Sequence, residues 1–147
     1  MIYNVSTMKR RIFTQISAWL PVVLWAALIF HFSSGKVPVA SAVYWQDFAI
    51  KKTGHVLLFG AMAILLYRAF RIDKLSRKDA AILAVVLATF YGGTDEFHQM
   101  FTQGREARVR DVFIDAGGAT LSVLAAYYLP PKMPKKIYSL LNEFNLT

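Results

Sequence analysis

Ala80-Ala81-Ile82-Leu83-Ala84-Val85-Val86-Leu87-Ala88-Thr89-Phe90-Tyr91-Gly92-Gly93-Thr94-Asp95-Glu96-Phe97-His98-Gln99 is the stretch whose reading decides the fold. Its apolar run, residues 80–93, is 14 residues long. As a helix it covers about 21 Å at 1.5 Å per residue, short of the roughly 30 Å of a bilayer's hydrocarbon core. Read alone, it is a buried core helix of a soluble domain. To cross a membrane it must continue through Asp95, Glu96, His98 and Gln99, which puts acids at or just inside the bilayer rim. Its neighbours decide between the two. Three further apolar runs have spanning length, so the spans are expected at about residues 14–33, 53–70, 80–101 and 111–129.

The expected fold class is therefore all-α, a four-helix transmembrane bundle forming one domain over residues 1–147. Composition agrees. Apolar residues make up 56% and charged residues only 18%, against roughly 25% charged in a soluble domain. The net charge of +8 sits in short segments between apolar runs, the membrane pattern. It forms no basic stripe with stacking aromatics, so nucleic acid is not an expected partner. With no cysteine, disulfides and thiolate metal sites are excluded.

Orientation follows from charge. With the N-terminus inside, the inner segments hold Lys9, Arg10, Arg11, Arg68, Arg71, Lys74, Arg77, Lys78, Lys132, Lys135 and Lys136. The outer segments hold Lys36, Lys51, Lys52, Arg105, Arg108 and Arg110. The positive-inside rule then puts both termini in the cytoplasm of a bacterial inner membrane. A cleaved signal peptide ending at Ala40-Ser41-Ala42 fits less well. The apolar run exceeds a signal core, and the site lies beyond it. Residues 41–50, with Tyr44, Trp45 and Phe48, are expected along the outer interface. In the tail, residues 134–147, Ile137, Leu140, Leu141 and Phe144 fall at helical spacing beside two lysines. That reads as a short amphipathic helix on the inner leaflet, with a frayed tail as the alternative.

Ionisable residues inside a span mark a functional site by default. Side chains three and four apart share a helix face, so Asp95 neighbours His98 and Gln99. Gly92 and Gly93 would admit a close neighbouring helix. On the fourth run Asp111, Asp115, Gly118 and Ser122 form one narrow stripe. A short bridge joins the third and fourth runs, which predicts antiparallel neighbours whose polar faces meet. Arg105 on that bridge offers a planar fork for a carboxylate or phosphate, and is expected to answer the acids. Asp111 could equally be only a helix N-cap, and the Arg105 pairing only a clamp. Lys52 and His55 open the second run on one face, and His31 and Ser34 close the first. The expected ligand-binding set is Lys52, His55, Asp95, Glu96, Gln99, Arg105, Asp111 and Asp115. No His-Glu-x-x-His or phosphate loop is present. A metal on His55, His98 and Glu96 has no motif behind it, so neither a metal nor a cofactor is expected.

At these residues the chain resembles the VanZ-like family of small integral membrane proteins. The likeness rests on Asp95-Glu96-Phe97-His98-Gln99, Gly104-Arg105, Asp111-Val112 and Asp115-x-x-Gly118-Ala119. Phe32-Ser33-Ser34 and Lys52-x-x-His55 add to it. It covers most of residues 30–120. The family usually has proline where Gln103 stands, asparagine at Asp115, tyrosine at Phe59 and glycine at Ser122. The resemblance implies a four-helix membrane protein. It also implies a link to glycopeptide resistance, because the name-giving member is tied to resistance against teicoplanin.

The expected function is a cell-envelope protein that binds an amphiphile, a lipoglycopeptide or a lipid-linked cell-wall intermediate, at the outward acid–arginine site. The alternative is an intramembrane hydrolase or transferase. There Asp95 or Glu96 is general base and His98 or His55 its acid–base partner, with no evident nucleophile. A proton-coupled carrier would need a homo-oligomer to build its pathway. A purely structural role for the charges is the remaining reading.

Overall fold

A computed structural model describes residues 5–35, 41–103, 105–130 and 133–146. The described chain is all-helical: α1 (Val5–Ser34), α2 (Tyr44–Ile72), α3 (Arg77–Gln99), α4 (Val109–Tyr128) and α5 (Lys135–Glu143). Three of these, Met8–Ser34 within α1, α2 and α3, are long and apolar enough to cross a membrane. The fourth, α4, carries Arg110, Asp111 and Asp115 in its first two turns and is not among them.

The helices run up and down in turn. α2 and α4 are parallel, as Lys52 meets Asp111 and, further along, Gly60 faces Ser122. α3 runs against both, with Gly92 beside Asp115 and Arg77 reaching the Tyr127 carbonyl at 2.5 Å. α1 lies on the outside, against α2 and to a lesser degree α3. Trp25 Nε1 donates to the Leu58 carbonyl at 2.8 Å and the Tyr91 hydroxyl to the Ala26 carbonyl at 2.7 Å. These bonds tie α1 down with groups that could find no water in lipid.

α2 buries Phe59, Met62, Leu66 and Tyr67, while α3 meets them with small residues and many large apolar side chains face outward. On α3, Ala80, Ala84, Ala88 and Gly92 are buried at four-residue intervals, while Leu57, Phe90, Phe113 and Leu121 point outward. Small residues let helix backbones close without a hydrophobic drive between them. The pattern suits a lipid surround.

Local chemistry sets the helix ends. Ser76 caps α3, accepting from the Asp79 amide at 3.1 Å and donating to its carboxylate at 2.6 Å. α3 then runs without a break through Asp95 and Glu96 to Gln99. α2 starts at Tyr44, so Tyr44, Trp45 and Phe48 belong to the same helix as the second span, which was expected only from about residue 53. With no Gly or Pro at residues 44–53, nothing interrupts it. α5 is amphipathic, and its Leu141, with Leu146 just beyond it, lines a small apolar cavity with Ile64 and Ala126 at the end of the bundle away from the acids.

Candidate functional site

At the opposite end, the last turn of α1, the first turns of α2 and the α3–α4 link surround a cavity of about 600 Å³. Lys52, His55, Asp95, Gln99, Arg105 and Asp111 line it. Glu96 and Asp115 are not on its wall. They are buried in the bundle interior, 5% and 1% exposed.

The acids have specific partners, and these are not arginines. Lys52 Nζ lies 2.5 Å from Asp111 Oδ2. His55 Nδ1 lies 2.9 Å from Asp115 Oδ1. Gln99 Nε2 donates to Asp95 Oδ2 at 2.8 Å, one helical turn away on α3. Glu96 Oε2 accepts the Arg108 amide at 2.7 Å. Arg108 is the N-cap of α4 and supplies no side-chain cap bond of its own. Glu96 thus holds the start of α4 from α3, where a helix leaves free amides and a partial positive charge.

Two sequence expectations are corrected here. Arg105 does not pair with an acid. Its guanidinium donates to the carbonyls of Gly35, at 2.9 Å, and Phe32. Those carbonyls end α1, where helix C-terminal oxygens want a cation; the fork ties the link to α1 instead. Asp111 is not the N-cap of α4 but sits in its first turn, bonded to Lys52.

His98 stands apart from the other candidates. Its ring lies 4.5 Å from that of Phe30, and its Nε2 is 3.1 Å from Ser34 Oγ on α1. α1 lies on its side of α3 and takes its ring, so these contacts of His98 are with α1 and not with Asp95 or Glu96. Of the paired glycines, Gly92 meets α4, where an added Cβ would sit 3.1 Å from Asp115 Oδ2. Gly93 faces open space.

The same inward face of α2 extends the site beyond the expected residues. Tyr44, Asp47, Phe48 and Lys51 also line the cavity, and Lys51 pairs with Asp47 at 2.6 Å. Residues 44, 47, 48, 51, 52 and 55 follow a helical i, i+3, i+4, i+7, i+8, i+11 pattern. That stripe was the signal for them. Phe48 packs beneath two cations, Lys52 Nζ 5.6 Å and the Arg110 guanidinium 5.0 Å from its ring centre. At the exposed rim the Arg108 guanidinium hydrogen-bonds Glu106 and holds its carboxyl below the usual carboxylate range.

One subset could hold a cation. His55, Glu96 and Asp115 each offer one ligand atom within 4.8 Å of the others. The set differs from the one weighed on sequence by having Asp115 in place of His98.

Apolar outer faces, small buried residues and a charged cavity at one end define a multi-helix membrane protein with a polar site at its rim. The chain belongs to the VanZ/LLP1 family, whose model matches residues 3–130. No curated protein and no solved structure matches it. The matched region includes the Asp95–Gln99 and Asp111–Ala119 blocks.

Proposed function

We propose that the protein spans the bacterial inner membrane four times, with both termini in the cytoplasm, and binds the head group of an amphiphile in the outward-facing cavity. The fourth crossing is supported by the packing of α4. Its acids turn inward onto α2 and α3 while Phe113, Leu121 and Leu124 face out, so the bundle interior hides the residues that lower its hydropathy. The orientation is supported by the eleven inner against six outer cations. The absence of cysteine makes it directly testable. Gln103→Cys should react with an impermeant maleimide on whole cells, and Ser139→Cys only after permeabilisation. The reverse pattern overturns the orientation.

The observation that carries the binding proposal is the dual lining of the cavity. Lys51, Lys52, Arg105 and Arg108 stand beside Asp47, Asp95, Glu106 and Asp111, over a wall that includes Ile29, Phe32, Phe48 and Leu58. A mixed-charge rim above an apolar floor suits a molecule with a polar head and an acyl chain. A lipoglycopeptide or a lipid-linked cell-wall intermediate has that form, and the family's name ties it to glycopeptide resistance. In nanodiscs, Arg108→Ala should weaken binding of a teicoplanin-type lipoglycopeptide or a lipid-linked intermediate about tenfold, the loss of one charge-assisted contact. Phe48→Ala should weaken it comparably through the apolar floor. Both should lower drug tolerance in cells at normal expression. Unchanged binding in both variants overturns the reading.

One observation favours a hydrolase or transferase instead: His55 is oriented by Asp115, the arrangement a general base needs. Turnover of a lipid-linked substrate by purified protein, lost in His55→Ala, would establish that reading.

A further inference from the structure

The four carboxylates in the bundle interior outnumber the cationic groups that meet them. Asp95, Glu96, Asp111 and Asp115 are all buried, and each keeps one oxygen (Oδ1, Oε1, Oδ1 and Oδ2 respectively) without a hydrogen-bond partner. Lys52 is the cation bonded directly to one of them, and His55 the ring bonded to another. Of the nearby arginines, Arg105 is engaged on the end of α1 and Arg108 has its side chain on Glu106, while Arg110 reaches only Asp111, its Nε 3.8 Å from Oδ1 at the exposed rim. In a low-dielectric interior, uncompensated negative charge must take up protons or be met by a cation.

The geometry says where a cation fits. His55 from α2, Glu96 from α3 and Asp115 from α4 bring three ligand atoms within 4.8 Å of one another. Around a tetrahedral ion bound at about 2.1 Å, neighbouring ligand atoms lie about 3.4 Å apart, so a pair at the 4.8 Å limit has to close by roughly 1.4 Å, a side-chain rotamer adjustment. Two of them, Glu96 and Asp115, also own a buried oxygen with no partner. One imidazole and two carboxylates suit borderline Zn²⁺ and also Mn²⁺, a harder ion that favours the carboxylates; the imidazole counts against Mg²⁺ and Ca²⁺, and the lack of thiolate against softer ions. Two carboxylates cancel the charge of a dication, which reduces the cost of holding it away from water.

We infer that His55, Glu96 and Asp115 form a divalent metal site that joins α2, α3 and α4 directly behind the cavity. His55 is both a ligand and a wall residue of the cavity, so coordination positions not filled by protein lie on its side. The inference does not depend on what the cavity binds.

The test uses the full chain in detergent or nanodiscs, with any affinity tag removed, stripped with chelator and titrated with MnCl₂ alone. Free Mn²⁺ is followed by electron paramagnetic resonance, and competition with ZnCl₂ reports zinc. The wild type should bind one ion per chain. Glu96→Gln and Asp115→Asn should each weaken binding about 100-fold or more, above the 10–100-fold cost of losing a residue that only supports a ligand. His98→Ala should bind as the wild type does. Should Asp115→Asn fail to fold, Glu96→Gln decides alone: its amide oxygen still accepts the Arg108 amide, so the cap of α4 is kept while the charge is lost. Absence of binding in the wild type, or wild-type affinity in Glu96→Gln, overturns the site. Because no amphiphile is present, neither result bears on the head-group proposal.

Discussion

Gly118→Ala should cost at least about 3 kcal/mol of stability, the upper end of what overpacking usually costs, while Gly117→Ala next to it should be neutral or slightly stabilising. A Cβ at position 118 would lie 2.6 Å from the Val56 carbonyl oxygen, 2.8 Å from Val56 Cα and 3.1 Å from its carbonyl carbon. All three are backbone atoms of α2, so no side chain can swing aside. α2 and α4 would have to separate. Gly60 contributes from the other side: a Cβ there would strike the Ser122 hydroxyl and come within 3.3 Å of the Gly118 carbonyl. The two glycines therefore set how closely the parallel helices approach. Separation would also pull Lys52 from Asp111 and His55 from Asp115, since both pairs cross the same interface. Gly117 meets nothing within 4 Å, so alanine there gains helix propensity, up to about 1 kcal/mol, at no steric cost. Thermal unfolding of the two variants in the same detergent reads the difference. Equal midpoints for Gly118→Ala and wild type would show that α2 and α4 are not in contact here.

Lys52→Met should be nearly as damaging, by about 3–5 kcal/mol, because it leaves a buried carboxylate without its cation. The Lys52 and Asp111 side chains are 18% and 8% exposed, too enclosed for water to replace the lost partner fully. Arg110, whose Nε is 3.8 Å from Asp111 Oδ1, is half-exposed at the rim and compensates only in part. Asp111→Leu should cost a similar amount by stranding Lys52. The double variant Lys52→Met/Asp111→Leu should recover part of the loss, because two apolar groups replace a pair whose desolvation is itself expensive. A double-mutant cycle should give a coupling of about 0.5–3 kcal/mol. Strictly additive losses would mean that the two residues act separately and that the 2.5 Å contact holds nothing.

Much of this molecule could be read along the chain, because lipid imposes simple demands on sequence. Helix α3 had to run through Asp95 and Glu96 to be long enough, and it does. The i, i+4, i+7 stripe of Asp111, Asp115 and Gly118 had to face inward, and those residues are buried. The Asp95–Gln99 and Asp111–Ala119 blocks pointed to the family that the chain belongs to. Other features were hidden. His98 shares a helix face with Asp95 in projection, yet α1 lies on its side of α3 and takes its ring. Arg105 looked like a partner for acids because opposite charges attract. Helix-end carbonyls that have lost their own partners attract a guanidinium as well, and only the placement of α1 decides between them. The extension of α2 to Tyr44 was masked by aromatic residues that also suit an interface.

The chain alone determined that helices would form, how long they had to be, and that acids near residues 95 and 111–115 would turn away from lipid. Those outcomes follow from local periodicity and from the cost of exposing charge or backbone to hydrocarbon. The tertiary structure decided which cation met which acid, that Glu96 would cap α4, and that His55, Glu96 and Asp115 from three helices would converge. Such pairings depend on the rotation and depth of each helix against its neighbours. Those are set by contacts such as Gly118 against Val56, between residues far apart in the chain.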